Sequence, residues 1–185
     1  MAHRTRDELD VALDEVLAAP RDEGVLRLVV RRPADGEREI LELGSLDPMV
    51  GLVGDNWSTR GSRRTADGSA HPDMQLNVIS ARVSALLVDR DADRALAGDQ
   101  LHVDMDLTEA NLPPGTRLAI GDAVIQVTAE PHRGCPKFSQ RFGLEARRWV
   151  NRGDDSGLRL RGLNAKVVQP GTISPGDTVR KLPPG

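Results

Sequence analysis

Between Gly24 and Lys181 the chain is cut by glycine and proline turns into apolar runs too short for long helices, and this punctuation constrains the fold more than any other feature. Gly24 to Arg32 (GVLRLVVRR) and Glu37 to Leu43 (EREILEL) are β-rich runs joined by the turn-forming Pro33-Ala34-Asp35-Gly36, which predicts a hairpin. Met74 to Ile79, Leu101 to Met105, Arg117 to Ile120, Ala123 to Ala129, Leu158 to Arg161, Ala165 to Gln169 and Asp177 to Lys181 read as further short strands. Most are separated by turns such as Pro113-Pro114-Gly115, Gly121-Asp122 and Pro175-Gly176-Asp177. Many short strands with few helices point to a mainly β, α+β domain built on an antiparallel, barrel-like sheet.

Helices are expected in three places. Thr5-Arg6-Asp7-Glu8 has the form of a capping box, and Leu9, Leu13, Val16 and Leu17 follow at helical spacing up to Pro20. Ala81 to Val88 suits a short helix or a continuation of the strand before it, and a third helix is expected to begin at Pro136. From Ser45 to Asp73 periodicity vanishes, and the segment reads as a long loop, of the kind that is usually functional or mobile. No composition shift marks a linker, so residues 1–185 are read as one domain with an N-terminal helix over 1–22.

Composition excludes several classes of function. Twenty-five basic against 28 acidic residues leave a net charge of −3, with no global pull toward nucleic acid or an anionic membrane, and two Phe, two Trp and no Tyr are too few for base stacking. Neither partner is expected. The N-terminus lacks an apolar signal core, and no apolar stretch approaches the roughly 18 to 20 residues that span a bilayer, so a cytoplasmic location is expected. No GxxxxGK[ST] or GxGxxG supports a nucleotide site, and Gly153-Asp154-Asp155-Ser156-Gly157 suits a tight turn better than a serine nucleophile.

The segment EPHRGCPKFSQRFGLEARRWV, residues 130 to 150, holds the chain's one cysteine, both phenylalanines and one of two tryptophans. A helix starting at Pro136 puts Cys135 at the N-cap, beside unpaired amide donors and the positive end of the dipole, where a thiolate is favoured. Arg133, Lys137 and His132 add charge or hydrogen bonds that act in the same direction. Phe138, Phe142, Glu145/Ala146 and Trp149 share one helical face, with Lys137, Arg141 and Arg148 in an adjacent basic stripe. The plainer reading is that the aromatics are core, the arginines face solvent, and Cys135 is a small buried hydrophobe. His132-x-x-Cys135 has a metal-like spacing, but His3, His71 and His102 are scattered, so a zinc site is not expected.

Four motifs in order resemble the MOSC domain, named for the C-terminal part of molybdenum cofactor sulfurase. Gly51-Leu52-Val53-Gly54-Asp55 resembles its GxxGD segment, and Gly98-Asp99-Gln100-Leu101 its Gly-Glu-Asn-Leu element. The strand VIQVT leading into EPHRGCPKF is similar to its strand and cysteine loop, and Pro170 to Asp177 to its closing G-x-V-x-x-G-D turn. The resemblance spans about residues 24 to 182. The chain departs from the family pattern at Asp99 (usually Glu), at Gln100 (usually Asn), at Trp57 in the region after GD where His is common, and in a cysteine loop reading HRGCPKF rather than Arg-x-Pro-Cys.

The resemblance implies a stand-alone β-barrel module of bacterial type, whose cysteine meets molybdenum cofactor chemistry. In amidoxime-reducing members the matching cysteine ligates molybdenum, and some stand-alone bacterial members reduce N-hydroxylated compounds. On that basis Cys135 is the candidate catalytic residue and molybdenum ligand of a molybdenum-dependent oxidoreductase. Arg133, Lys137, Arg141 and Arg161 are candidates for the phosphate of molybdopterin, and Gly54, Asp55 and Asn56, with the loop through Arg64, for closing over the pterin. Pyridoxal phosphate belongs to the desulfurase domain of the sulfurases, which 185 residues do not accommodate as well, so none is expected on this chain. Expected partners are the cofactor or its carrier and a separate electron-donor or desulfurase protein. Two other readings stay open: a carrier with a persulfide on Cys135, and a metal-free binding module with a structural cysteine.

Overall fold

The computed structural model describes residues 3–152 and 157–184. Its strands are β1 (Glu23–Arg31), β2 (Glu39–Leu41), β3 (Gly44–Asp47), β4 (Gly51–Leu52), β5 (Leu76–Ser80), β6 (Leu101–Asp104), β7 (Arg117–Ile120), β8 (Ala123–Val127), β9 (Leu163–Gln169), β10 (Gly171–Ile173) and β11 (Thr178–Lys181). The helices are α1 (Arg6–Val11), α2 (Leu13–Leu17), α3 (Trp57–Arg60), α4 (Ala81–Leu87), α5 (Asp91–Arg94), α6 (Pro136–Phe142) and α7 (Leu144–Asn151).

Among the described residues seven strands close into a barrel in the order β1, β11, β7, β8, β9, β5, β6 and back to β1. All neighbours are antiparallel except β5 and β6, which run parallel because α4 and α5 carry the chain across between them. The expected hairpin is present: β2 pairs with the end of β1 through Val29–Leu41 and Val30–Ile40. The register of β1 against β6 shifts between Leu26 and Leu28, and the extra residue reverses which face each side chain takes. Leu26 and Val29 therefore both enter the barrel core, while Leu28 and Val30 pack outside it against Ala95.

The segment 45–73 is more ordered than its composition suggests. It contributes β3 and β4, which pair with each other and with β10. Leu46, Leu52 and Ile173 of this small sheet join the barrel core, which explains why two such short strands persist. Leu158 to Arg161 is not a strand but a turn into β9. Of the Gly153 to Gly157 turn, 153–156 lie outside the described residues.

A second core lies outside the barrel, where Leu9, Val16, Val83, Phe138, Phe142, Trp149 and Leu160 pack with Ile79 of β5. The capping box at Thr5 is formed, but the N-terminal helix breaks at Ala12 into α1 and α2. The helix after Cys135 breaks at Gly143, whose φ of 93° ends α6, and a Cβ there would lie 2.9 Å from His3 Nδ1. Both halves nevertheless keep their aromatic face inward: Phe138, Phe142, Ala146 and Trp149 are all buried, and the two phenylalanine rings sit 4.8 Å apart. Seven residues are well below the roughly 12 needed for an isolated helix, whereas each buried Phe contributes about 1.5–3 kcal/mol. Packing of the aromatics, not intrinsic helicity, holds α6 in place.

Candidate functional site

Cys135 stands at the N-cap of α6 in extended conformation (φ −91°, ψ 174°), with Pro136 at the first helical position. Its sulfur makes no capping hydrogen bond, and the thiol is exposed. That exposure removes the reading of Cys135 as a buried structural cysteine. The aromatic face beneath it is core, as the plainer reading of the sequence had it.

The loop that carries the thiol is clamped along its length. Thr128 donates to the Asp73 carbonyl at 2.6 Å, and Asn164 Nδ2 donates to the Glu130 carbonyl at 3.1 Å. Gly134, the residue before the cysteine, is held on both sides from α7. Its N–H donates to Asn151 Oδ1 at 2.7 Å, and its carbonyl accepts from Arg147 Nε at 3.1 Å and Asn151 Nδ2 at 3.2 Å. Asn151→Ala is expected to cost about 1–3 kcal/mol by leaving a buried amide unpaired. It should also accelerate hydrogen exchange at Gly134 and change the rate at which Cys135 reacts with a disulfide reagent. Exchange at Gly134 as slow as in the parent protein would show that Asn151 does not hold the loop.

His132 is not turned toward a metal but onto Asp99, with Nε2 2.7 Å from Oδ1. Asp99 is fully buried and also accepts from Arg161 Nη1 at 2.7 and 2.8 Å. Burial opposes ionisation of Asp99, but Arg161 and then His132 outweigh it and hold the carboxyl well below the usual carboxylate range. Burial first, and Arg161 second, lower the pKa of His132. An ionised carboxylate only accepts hydrogen bonds, so the proton of neutral His132 resides on Nε2. Arg161 continues to the Ala97 carbonyl at 3.0 Å and lies 4.9 Å above the Phe138 ring. The Gly98-Asp99-Gln100-Leu101 motif thereby anchors both the cysteine loop and α6.

Asp55 of the GxxGD segment has a parallel task. It is buried and takes two hydrogen bonds from Arg32, Nε to Oδ2 and Nη2 to Oδ1, both 2.8 Å. Arg32 Nη1 reaches Asn77 Oδ1 at 3.0 Å and the Gly98 carbonyl at 2.9 Å, and Asn77 Nδ2 donates to Asn164 Oδ1 at 2.6 Å. Gln100 bridges the Asn77 N–H (2.8 Å) and the Gln75 carbonyl (3.0 Å). Gly54 is required here because its φ is +80° and a Cβ would lie 2.7 Å from Arg31 Nη1. Asp55 and Arg161 thus each sit in a matched, buried pair, and Gly54 and Asp55 hold the frame on which Asn56 is presented.

Around that frame lie further cations. Among the described residues Arg38, Arg60 and Arg141 form no ion pair; Arg38 and Arg141 donate instead to the carbonyls of Glu37 and Leu96. Half-burial lowers the pKa of Arg38, and the charges of Arg141 and Arg32 lower it further. Arg60, at the end of α3, is affected in the same way by partial burial and then by Arg32. Lys137 Nζ bonds Asp35 Oδ1 at 2.8 Å, which ties the β1–β2 turn to the start of α6 beside Cys135. Two buried polar atoms here, Arg38 Nε and Asn56 Oδ1, have no hydrogen-bond partner among the described residues. Arg133 is exposed on the cysteine loop. Arg38 and Arg60 were not singled out by sequence. Arg38 follows the hairpin turn and Arg60 falls in the segment read as loop, so only pairing in three dimensions distinguishes them from other surface arginines.

The family model for the MOSC domain matches residues 65–180. The chain belongs to the MOSC family. The barrel agrees with solved MOSC-type structures at low identity. YuaD from Bacillus subtilis superposes with a TM-score of 0.60 at 18% identity, covering 85% of this chain and 94% of that one. YiiM from Escherichia coli gives 0.54 at 21% identity, covering 86% and 70%, and YiiM from Geobacillus stearothermophilus 0.51 at 13%, covering 86% and 73%. No curated protein matches the sequence. MOSC membership supports a role connected generally with the molybdenum cofactor. No helix among the described residues is long and apolar enough to cross a membrane.

Proposed function

We propose that this MOSC protein binds the molybdenum cofactor with Cys135 as metal ligand and reduces small N-oxygenated compounds. The observation that carries this reading is the exposed thiol on its clamped loop, at the start of the helix that carries Arg141, with Arg38, Arg60 and Arg141 forming no ion pair among the described residues. A thiolate is a soft donor suited to molybdenum, and guanidinium groups suit the phosphate of a molybdopterin. The residues present fit that group: Cys135 toward the metal, and Arg38, Arg60 and Arg141 toward the phosphate. The unpartnered Asn56 Oδ1 and Arg38 Nε supply an acceptor and a donor for the polar edges of a pterin. Asp55 and Arg161 support the site from behind through Arg32 and Asp99.

Bound cofactor supplies a two-electron metal centre. The net reaction, R–NHOH + 2 H⁺ + 2 e⁻ → R–NH₂ + H₂O, breaks the N–O bond and takes its electrons from a separate donor protein. The chain's own part is to present Cys135 rigidly and to hold the anionic end of the cofactor.

Cys135→Ser is expected to abolish molybdenum retention with no change in circular dichroism. The check is elemental analysis, with fluorescence of the oxidised pterin, on protein from a cofactor-competent host. Near-stoichiometric molybdenum that survives in Cys135→Ser would sink the ligand role. No metal or pterin in either protein, together with a mass increment of one sulfur atom on Cys135, would establish the persulfide carrier instead.

A further inference from the structure

The β1–β2 turn and helix α6 meet at residues 96–98. On α6, Lys137 and Arg141 stand one turn apart on one face. On the hairpin, Asp35 lies within the turn and Arg38 just after it. Three successive carbonyls, of Leu96, Ala97 and Gly98, accept from Arg141, Arg161 and Arg32. A Cβ on Gly98 would lie 3.3 Å from Arg38 Nη2, so Arg38 packs against the same stretch. Asp99 neutralises Arg161 and Asp55 neutralises Arg32, both in buried pairs. The positive charge left here is that of Arg38 and Arg141, and the buried Arg38 Nε has no acceptor among the described residues. A buried donor of that kind is nearly always matched in a native protein.

One carboxylate already stands in the field of this charge. Asp35 Oδ1 accepts from Lys137 Nζ at 2.8 Å, and Lys137 first, then Arg38 and Arg141, hold the Asp35 carboxyl below the usual carboxylate range. Asp55 and Asp35 both act on Arg38 and on Arg60. Asp55 is locked on Arg32 by two hydrogen bonds, whereas Asp35 sits on an exposed turn. The Asp35 side chain is 85% exposed and that of Lys137 60%, so their pair contributes little to stability and is readily exchanged for another anion.

We propose that Asp35 is a built-in competitor for the anion subsite: its carboxylate holds on Lys137 the place that a ligand oxyanion takes between Lys137, Arg141 and Arg38, and the ligand enters by displacing the β1–β2 turn. This rests on the reading of these cations as a phosphate subsite and adds its regulation. A phosphate or pyrophosphate group displaces Asp35 because it carries more charge than one carboxylate, meets several cations at once and gives Arg38 Nε an acceptor. A monocarboxylate gains nothing from the exchange. The turn therefore admits multivalent oxyanions and keeps single carboxylates out.

Calorimetric titration of the full chain with inorganic pyrophosphate tests this, with acetate as the monocarboxylate. One saturable pyrophosphate site is expected, weakened about tenfold in Arg141→Ala, where a charge-assisted hydrogen bond is lost. Asp35→Asn should tighten it about threefold, as removal of an exposed competing ion pair allows. Glu37→Gln takes the same charge from the same exposed turn but breaks no ion pair among the described residues, and should leave the affinity unchanged. Unchanged or weaker binding in Asp35→Asn, equal tightening in Glu37→Gln, or acetate binding as tight as that of pyrophosphate would overturn the competitor role and leave the phosphate subsite standing. No saturable site in either the parent or Asp35→Asn, or a site indifferent to Arg141→Ala, would overturn the subsite and this proposal together. Molybdenum retention by Cys135 is measured separately.

Discussion

Asp99→Ala is expected to lower the free energy of unfolding by about 3–5 kcal/mol, because it leaves the Arg161 guanidinium buried and without its counter-charge. Arg161 is 5% exposed, and among the described residues its buried Nε has no hydrogen-bond partner and Asp99 is its only ion pair, so little else can compensate its charge. The same substitution frees His132 and with it the loop before Cys135. Urea denaturation should therefore show a lower midpoint, and the thiol should react with a disulfide reagent at an altered rate while the protein is still folded. Asp99→Asn, which keeps the shape and one acceptor, should fall between the two. A loss below about 1 kcal/mol in Asp99→Ala would mean that Arg161 finds another arrangement, and that the pair does not organise the site.

Stability is also expected to fall by about 3 kcal/mol as the pH drops from about 6.5 to about 4, with His102 the main cause. Burial pushes its pKa from the ordinary 6.5 down to about 4; Asp99 and Asp91 pull the other way, while Arg161 and Arg94 add to the depression. Between those two values the unfolded chain binds a proton that the native protein does not, so acid favours unfolding. The interval between 6.5 and about 4 corresponds to about 3 kcal/mol. His132, whose pKa is lowered too, acts in the same direction. Asp99 acts in the same direction but mostly below this window, because its carboxyl in the unfolded chain takes up a proton only near the ordinary 3.8, while the native one stays ionised. His102→Asn keeps a polar group toward Ser84 but no titrating ring. Urea midpoints at pH 7 and pH 4.5 should converge in that variant by most of the difference seen in the parent, and an undiminished acid loss would move the cause elsewhere.

Much of this architecture is local and was legible in residue order. The capping box at Thr5, the Pro33–Gly36 hairpin turn, the strand that ends before the cysteine loop, and the Cys135–Pro136 helix start each depend on residues a few positions apart. The four motifs that resemble MOSC domains are legible for the same reason. Backbone preference and turn chemistry act over one or two turns of chain, so neighbours in sequence suffice to specify them.

What sequence left open depends on partners far along the chain. The segment 45–73 lacks periodicity because β3 and β4 are too short to show any, and they persist because β10, more than a hundred residues later, pairs with β3 and Ile173 shares their core. The parallel β5–β6 pair is set by the crossover through α4 and α5, not by either strand. Most of all, sequence counted cations near Cys135 but did not show which of them were spent. Arg161 is matched by Asp99 and Lys137 by Asp35, whereas Arg38 and Arg60 form no ion pair among the described residues and feel Asp55 and Asp35 only at longer range. Sequence by itself determined the β-rich barrel, the family and the thiol at a helix start, since these follow from local geometry and short motifs. Only the tertiary structure decided which charges remain available at that thiol, because neutralisation is a property of pairs of groups brought within a few ångströms by the fold.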